Sequence, residues 1–174
     1  MGCDIHSYCE VREDGKWKPS GAVFPLDKFG QEWEKRSHTE HPFDWRSYGM
    51  FGFLADVRNY SHVPCIQEPV YEMPEDASEF VKEEFGDGDD YHSLNVLIVR
   101  QLIEFNYNQT FWDRRVTKQV SPNCWNGAAL ADVGEGEHLT IREFLGERFF
   151  ADLEIMKSLA ANPDDARIIF WFDN

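Results

Sequence analysis

The side chains best suited to chemistry lie near the start of the sequence, in residues 3–12 (CDIHSYCEVR). Alternate positions of this stretch are polar, which predicts a β-strand with Asp4, His6 and Tyr8 on one face. Residues two apart on a strand lie about 6.6 Å from each other, so Asp4 and His6 could hold one metal ion or one phosphate group between them. An ordinary hairpin whose polar face meets water accounts for the same pattern equally well.

The elements that would position this strand lie at opposite ends of the sequence. Residues 13–16 (EDGK) predict a tight turn, so that residues 17–19 begin a return strand and form an N-terminal hairpin. Residues 167–173 (RIIFWFD) are apolar at five consecutive positions, which is typical of a central strand covered on both faces. If the two strands are neighbours, the face of Asp4 and His6 is partly buried. Its ionisable groups then need partners, which favours a functional cleft.

Helices are predicted where a capping residue precedes apolar residues at helical spacing. The predicted caps are Ser47 for a helix with Met50, Phe53, Leu54 and Val57 inward; Ser78 for residues 79–85; Ser93 for a helix from Leu94 to about Phe105; and Thr140 for the longest helix, about 141–161. We also expect a short helix around residues 31–36, and mostly loop at 107–137. The sequence therefore predicts an α+β fold, residues 1–174 as a single domain. A small, mostly antiparallel sheet of the N-terminal hairpin and the C-terminal strand is packed by about three helices.

Composition limits the classes of function. The chain has 32 acidic and 17 basic residues and a net charge of −15, which opposes general binding to nucleic acid. Hydrophobic residues make up 42%, enough for a folded core, yet no segment approaches the 18 or more apolar residues of a membrane span. The start shows no secretory signal and the four cysteines form no CxxC pair, so we expect a cytoplasmic protein with reduced thiols and no membrane partner.

Several short motifs occur along the chain: MGCDIH at residues 1–6, Pro42-Phe43, RxYxxF at residues 46–51, LAxVRN at residues 54–59, MPEDAS at residues 73–78, His92-Ser93 and FWFDN at residues 170–174. With these motifs the sequence resembles a family of small phage and bacterial proteins that begin MGCDIH and end FWFDN. The resemblance spans nearly the whole chain. It implies a phage-type accessory protein, in the host cytoplasm if phage-encoded, and it brings no assigned activity.

The motif positions select a set of polar residues: Asp4, His6, Arg46, Arg58, Asn59, His92 and Ser93. Such a set suits a phosphate-bearing small molecule or a nucleotide, because arginines bind the anion while His and Asp serve a metal ion or move protons. One hypothesis is therefore a metal-dependent phosphoester hydrolase. Its catalytic residues, which would also bind one divalent metal ion, are Asp4, His6 and His92, and its substrate-binding residues are Arg46, Arg58, Asn59, Ser93 and Tyr8. The Asp4-x-His6 pair also resembles the DxH opening of calcineurin-like metallophosphatases, whose further ligand motifs this chain lacks.

The alternative hypothesis is a non-catalytic binder that sequesters a nucleotide signal or blocks a host protein. Arginines and aromatic residues such as Tyr8 and Tyr48 would suit a nucleotide without any reaction. A weaker hypothesis makes Cys3 a nucleophile activated by His6, but the strand would direct these two side chains to opposite faces. The oligomeric state stays open at this level.

Overall fold

The computed structural model describes residues 2–26 and 36–174. The strands are β1 (Ile5–Glu13), β2 (Lys16–Pro19), β3 (Phe24–Pro25), β4 (His38–Thr39), β5 (His92–Ile98), β6 (Thr110–Asp113), β7 (Arg115–Ser121), β8 (Cys124–Leu130), β9 (Glu137–Thr140) and β10 (Ala166–Phe172). The helices are α1 (Tyr48–Ala55), α2 (Glu79–Phe85), α3 (Val99–Glu104) and α4 (Ile141–Lys157), with a short 3₁₀ turn at Pro163–Asp165. The predicted α+β fold is confirmed, and the short helix expected around residues 31–36 lies outside the described residues except for its last position.

The main sheet has four antiparallel strands in the order β2-β1-β10-β5. The N-terminal hairpin is confirmed, and so is the central C-terminal strand, because every residue of β10 is buried. The two strands are neighbours, with Ile5 opposite Phe172 and Val11 opposite Ala166. A run of large apolar residues becomes a central strand because only a position between two strands and two covering layers hides all of it from water.

Both faces of β1 are covered. On one face Tyr8 packs with Trp171 and with Val81 of α2. On the other, the Ser7 hydroxyl donates to the carbonyl of Pro42, and the adjacent Phe43 stacks on Phe149 of α4 with ring centroids 4.6 Å apart. The face of β1 that carries Tyr8 is therefore covered at this residue. In an ordinary solvent-facing hairpin this face would be open to water.

A buried ion pair joins β1 to β10. Glu10 lies opposite Arg167, and its carboxylate accepts a hydrogen bond of 2.8 Å from Nε of Arg167. The side chains are 0% and 5% exposed. The other carboxylate oxygen of Glu10 accepts from the N–H of Ser78, the N-cap residue of α2. The guanidinium also donates to Asp76 and lies 4.0 Å from the ring centre of Trp17 on β2. One pair of charges thus fixes the positions of three strands and one helix.

The chain separates into two compact units. The first comprises Met1–Arg46, Pro69–Phe105 and Glu147–Asn174 and contains the main sheet; the second comprises Ser47–Glu68 and Asn106–Gly146. The second unit contains α1 and two antiparallel ribbons, β6 with β9 and β7 with β8. The side chain of Ser47 accepts a hydrogen bond from the N–H of Met50, so the predicted cap of α1 is confirmed. That the two units form a single domain stays a prediction.

Three predicted elements differ from the structure. Residues 94–98 form most of β5 instead of the start of a helix, because pairing with β10 uses the same apolar residues; Ser93 lies at φ 53° and caps nothing. Residues 107–137, predicted as mostly loop, contain β6 to β8 and begin β9, whose exposed polar residues hide the alternation. The longest helix ends at Lys157 and is interrupted at Gly146, which has φ 74° and ψ 175°.

Within the described residues, no helix is both long and apolar enough to cross a bilayer.

Asp152 of α4 is a buried carboxyl that accepts a hydrogen bond of 2.7 Å from the N–H of Phe43. Burial raises the pKa of Asp152 from 3.8 to about 6. Because the folded-state pKa lies above the unfolded value, this group stabilises the fold most below about pH 4, and that contribution is lost as the pH rises through about 6. The loss corresponds to about 3 kcal/mol.

We therefore expect Asp152→Asn to raise the free energy of unfolding at pH 8 by about 1–3 kcal/mol relative to wild type and to have little effect at pH 4. The amide oxygen still accepts the hydrogen bond from Phe43, so the variant removes only the charge. Urea unfolding at both pH values measures the difference, with Asp90→Asn in an exposed turn as the control. An equal gain at both pH values would contradict the explanation.

Candidate functional site

A cluster of polar residues forms where the start of β1 lies beside the end of β10; we call it the terminal cluster (Asp4, His6, Arg46 and Asp173). The carboxylate of Asp4 accepts two hydrogen bonds from Arg46, of 2.8 Å from Nε and 2.6 Å from Nη2. These bonds hold the pKa of Asp4 below its usual value. The carboxylate of Asp173 accepts from the N–H of Asp4 at 3.0 Å and contacts Nε2 of His6 at 3.0 Å. Motif residues from both ends of the sequence thus form one hydrogen-bonded group.

Strand pairing and one glycine create the terminal cluster. The antiparallel register of β1 and β10 brings Asp173, just past β10, beside Asp4, just before β1, and the N–H of Asp173 donates to the Asp4 carbonyl at 3.2 Å. Gly2 lies directly against the guanidinium of Arg46, where a Cβ atom would come within 2.6 Å of Nη1. The absence of a side chain at Gly2 therefore makes room for the guanidinium of Arg46.

His6 is held in one orientation by rings as well as by Asp173. Its imidazole stacks on Trp171 at 6.1 Å, with 11° between the planes, and meets the ring of Tyr91 at 5.1 Å. The side chain is 33% exposed. Because a carboxylate accepts hydrogen bonds, the contact with Asp173 places the proton of a neutral His6 on Nε2 and leaves Nδ1 able to accept one. A histidine that is held by a carboxylate and has a free acceptor nitrogen can act as a general base.

His92 and Ser93 do not join the terminal cluster. His92 lies opposite Phe172 and stacks on its ring at 6.0 Å, whereas His6 lies opposite Trp171. Since successive residues of β10 face opposite sides, His92 and His6 lie on opposite faces of the sheet. The Nδ1 atom of His92 contacts the hydroxyl of Ser93 at 3.0 Å, and its buried Nε2 has no hydrogen-bond partner among the described residues.

The predicted metal ligands Asp4, His6 and His92 are therefore not brought together. Within residues 2–26 and 36–174, no group of three or more His, Cys, Asp and Glu side chains is arranged to hold a metal ion. Cys3 is 0% exposed, which removes it from the reach of a dissolved substrate. The chemistry that the terminal cluster supports with its own side chains is proton transfer by His6.

Tyr8, another predicted substrate-binding residue, lies beneath α2. Its ring stacks on Trp171 at 5.1 Å, and its hydroxyl donates to the carboxylate of Glu84 at 2.9 Å. Burial and this carboxylate raise the pKa of Tyr8, so the phenol stays protonated at neutral pH. The ring also forms part of the wall of a small cavity.

Asn59, in the second unit, holds a loop together. Its Nδ2 donates to the carboxylate of Asp56 at 2.7 Å and to the carbonyl of Val63 at 2.8 Å, and its Oδ1 accepts from the N–H of Val63 at 3.0 Å. Gly52 of α1 makes room for it, because a Cβ atom there would lie 2.6 Å from Oδ1 of Asn59. The polar atoms that sequence reasoning assigned to a substrate are thus used within the loop.

Arg58 belongs to a second group, which we call the tyrosine–arginine cluster (Tyr48, Arg58, Tyr60 and Arg115). The Cζ atom of Arg58 lies 5.5 Å from the ring centre of Tyr48, and that of Arg115 lies 6.0 Å from the ring centres of both Tyr48 and Tyr60. The two phenol rings meet edge to face at 6.1 Å, with 68° between their planes. Two guanidinium groups and two phenol rings therefore lie in one cluster.

Loop geometry brings the members of the tyrosine–arginine cluster together. The loop after α1 has three residues other than glycine with positive φ: Asp56 at 57°, Arg58 at 47° and His62 at 56°. Such conformations each cost about 1 kcal/mol or more, and they concentrate at functional sites. The carbonyl of Ser61 accepts a hydrogen bond of 3.0 Å from the N–H of Arg114, which places the loop beside the start of β7 and therefore beside Arg115.

Sequence reasoning missed Arg115. The signal was present, because residues 113–118 (DRRVTK) are a locally basic stretch in an acidic chain. It was not connected to Arg58 because 57 residues of sequence separate the two positions, and no period or motif spans that distance.

No protein-family model, no curated protein and no solved structure matches this chain. The resemblance to the family that begins MGCDIH therefore stays a prediction.

The close approach of Gly52 and Asn59 generates a second prediction. A methyl group at position 52 would displace Asn59 and break the hydrogen bonds to Val63, so we expect Gly52→Ala to lower the free energy of unfolding by about 1–3 kcal/mol. This would occur although alanine favours a helix by about 1 kcal/mol. The matched control is Gly127→Ala, where the nearest atom to the added Cβ is 3.9 Å away. Denaturant unfolding measures both variants, and an unchanged or higher stability of Gly52→Ala would contradict the role given to Asn59.

Proposed function

We propose that the protein binds a nucleotide, without converting it, at the tyrosine–arginine cluster. The observation that carries the proposal is the position of two guanidinium groups, Arg58 and Arg115, around the ring of Tyr48. The proposed function is the non-catalytic binder, which was the alternative hypothesis from the sequence. It also keeps Arg58 as a ligand-binding residue.

Charge supports this choice of ligand. In a chain with 32 acidic residues, a guanidinium with no carboxylate partner is unexpected. Arg115 is exposed, and its Nε donates to the carbonyl of Gly127 at 2.7 Å. Its two terminal nitrogens have no hydrogen-bond or ion-pair partner within the described part of the chain. A phosphate group is the ligand that a guanidinium binds with two parallel hydrogen bonds, so the two terminal nitrogens of Arg115 suit a phosphate.

The aromatic rings support a ligand that carries a base as well as a phosphate. Tyr48 and Tyr60 are both partly exposed, so each offers ring surface to a ligand. A base that stacks on a tyrosine gains about 1–3 kcal/mol, with little dependence on which base it is. Both guanidinium groups lie near the ring of Tyr48, and that of Arg115 also lies near Tyr60, so one nucleotide could reach an arginine with its phosphate while its base contacts a tyrosine. Sequestering such a ligand in a host cytoplasm would suit the phage-type role expected from the resemblance.

The test measures binding of ADP and of adenosine by titration calorimetry. We expect ADP to bind at least tenfold more tightly than adenosine, and Arg115→Gln to weaken ADP about tenfold, or about 1.4 kcal/mol, because a charge-assisted hydrogen bond is lost. Chelation of metal ions should not change the affinity, and chromatography should recover ADP unchanged. The matched control is Arg12→Gln, an arginine of the first unit that also lies over an aromatic ring, 5.2 Å from the centre of Trp17.

Two results would overturn the nucleotide proposal. One is equal affinity for ADP and adenosine, which would remove the role of the arginines. The other is equal loss of affinity in Arg115→Gln and Arg12→Gln, which would place the binding site elsewhere.

A second candidate function, phosphoester hydrolysis, is favoured by the contact between His6 and Asp173. Nδ1 of His6 would take a proton from a water molecule while the water oxygen forms its bond to phosphorus and the bond to the leaving alkoxide or phenolate breaks. Asp173 would hold the ring and stabilise its charged form. The bidentate bond of Arg46 to Asp4 would have to yield for Arg46 to bind the phosphate, which makes this the less favoured function.

For this second function we expect slow release of p-nitrophenolate from bis(p-nitrophenyl) phosphate, reduced about 100-fold or more in His6→Gln and in Asp173→Asn. His38→Gln, at an exposed position of β4, serves as the control and should retain full activity. Absorbance measures the rate, with and without a chelator. A rate that is independent of His6 would exclude the mechanism.

A further inference from the structure

A small cavity in the first unit lies between the N-terminal hairpin and α2, apart from the terminal cluster. It has a volume of about 210 Å³, and its wall includes Tyr8, Ser20, Gly21, Glu40, His41 and Phe80. Clefts that hold drug-sized ligands measure about 300–1,000 Å³, so an occupant of this cavity must be smaller.

Three aromatic rings line the cavity. The ring of Tyr8 meets that of His41 edge to face at 5.0 Å, with 85° between the planes, and that of Phe80 at 5.9 Å, with 75°. Phe80 is 44% exposed, which is high for a phenylalanine, whereas Tyr8 is 8% exposed. The ring of Tyr8 is made more electron-rich because its hydroxyl donates to the Glu84 carboxylate. Electron-rich rings that surround a cavity attract cations through their faces.

Two side chains of the cavity wall, His41 and Glu40, offer acceptors of hydrogen bonds. Nδ1 of His41 lies 3.0 Å from the carbonyl oxygen of Ser7, and a carbonyl only accepts, so the proton of a neutral His41 is on Nδ1 and its Nε2 is an acceptor. Glu40 adds a carboxylate. No lysine or arginine is among the residues that line the cavity in the described part of the chain.

The charge of the whole protein also favours a cation over an anion in the cavity. A net charge of −15 gives an average negative potential, which raises the local concentration of cations and lowers that of anions. An apolar wall, three rings, acceptor atoms and a carboxylate together favour a positively charged organic molecule over a phosphate.

We propose that this cavity binds a small organic cation, an amine or a quaternary ammonium compound. The cation would lie against the rings of Tyr8 and Phe80, with Glu40 close enough to lower the cost of removing it from water. The proposal does not depend on the nucleotide site, which belongs to the other unit.

The experiment compares choline with its neutral isostere 3,3-dimethyl-1-butanol, which has the same shape without the charge. Chemical-shift titration of the full chain follows signals of Tyr8 and Phe80. We expect choline to bind with a dissociation constant on the order of 1 mM, and the isostere at least tenfold more weakly.

Two variants locate the site. Phe80→Leu keeps an apolar side chain but removes a ring, and it should weaken choline about fivefold, or about 1 kcal/mol. Glu40→Gln removes the charge and should weaken choline while leaving the isostere unchanged. Glu13→Gln, an exposed glutamate of β1 paired with Lys18, is the matched charge control and should have no effect.

Three outcomes would overturn the proposal. Equal or tighter binding of the isostere would make the cavity an apolar cleft without charge selectivity. Absence of choline binding would leave it without the assigned ligand. Equal effects of Glu40→Gln and Glu13→Gln would show attraction by the overall charge alone.

Discussion

The ion pair between Glu10 and Arg167 is the interaction on which the main sheet depends. Both charged groups are removed from water, and each has further partners in the N–H of Ser78, the carboxylate of Asp76 and the ring of Trp17. Removing one member of such a pair typically costs about 3–5 kcal/mol because the other is left buried and uncompensated. Replacing both by well-packed apolar residues need not cost stability, so the pair acts mainly by fixing which strand lies beside which.

That fixed register is what gives the terminal cluster its geometry. Once Glu10 lies opposite Arg167, alternation along β1 and β10 places His6 opposite Trp171 and brings Asp173 to the start of β1. The same register directs Tyr8 toward α2, where its ring forms part of the cavity wall. Two candidate sites of different chemistry, a proton-transfer pair and a cation cavity, therefore share one strand and one structural cause.

Most of the main sheet could be predicted from sequence because its signals are local. Alternation in residues 3–12, an Asp-Gly turn and a continuous apolar run each specify a strand without information from elsewhere. Ser47 and Ser78 were identified as caps for the same reason. The strand β5 was missed because LNVLI fits a helix and a strand equally well, and only the neighbour β10 decides between them.

The sites were harder to predict than the elements. Asp4 and His6, two residues apart in sequence, share the partner Asp173, but Asp173 and the arginine bound to Asp4 come from distant segments. His92 was assigned to the same group although the sheet places it on the opposite face, a difference that depends on a bulge in the pairing of β10 with β5. Arg115 was missed because its contact with the rings of Tyr48 and Tyr60 exists only after two separate segments have folded.

The distance in sequence between the two central strands has a consequence for how the molecule folds. Glu10 and Arg167 are 157 residues apart, so the central pair of strands can form only after almost the whole intervening chain has been made. Closing so long a loop is slow, and folding rates fall as contacts become less local. Until β10 inserts, β1 and β5 each have an unpaired edge, the kind of surface through which chains associate with one another. Rapid dilution or a chaperone that shields these edges should therefore matter more for the yield of folded protein than the stability of the finished sheet.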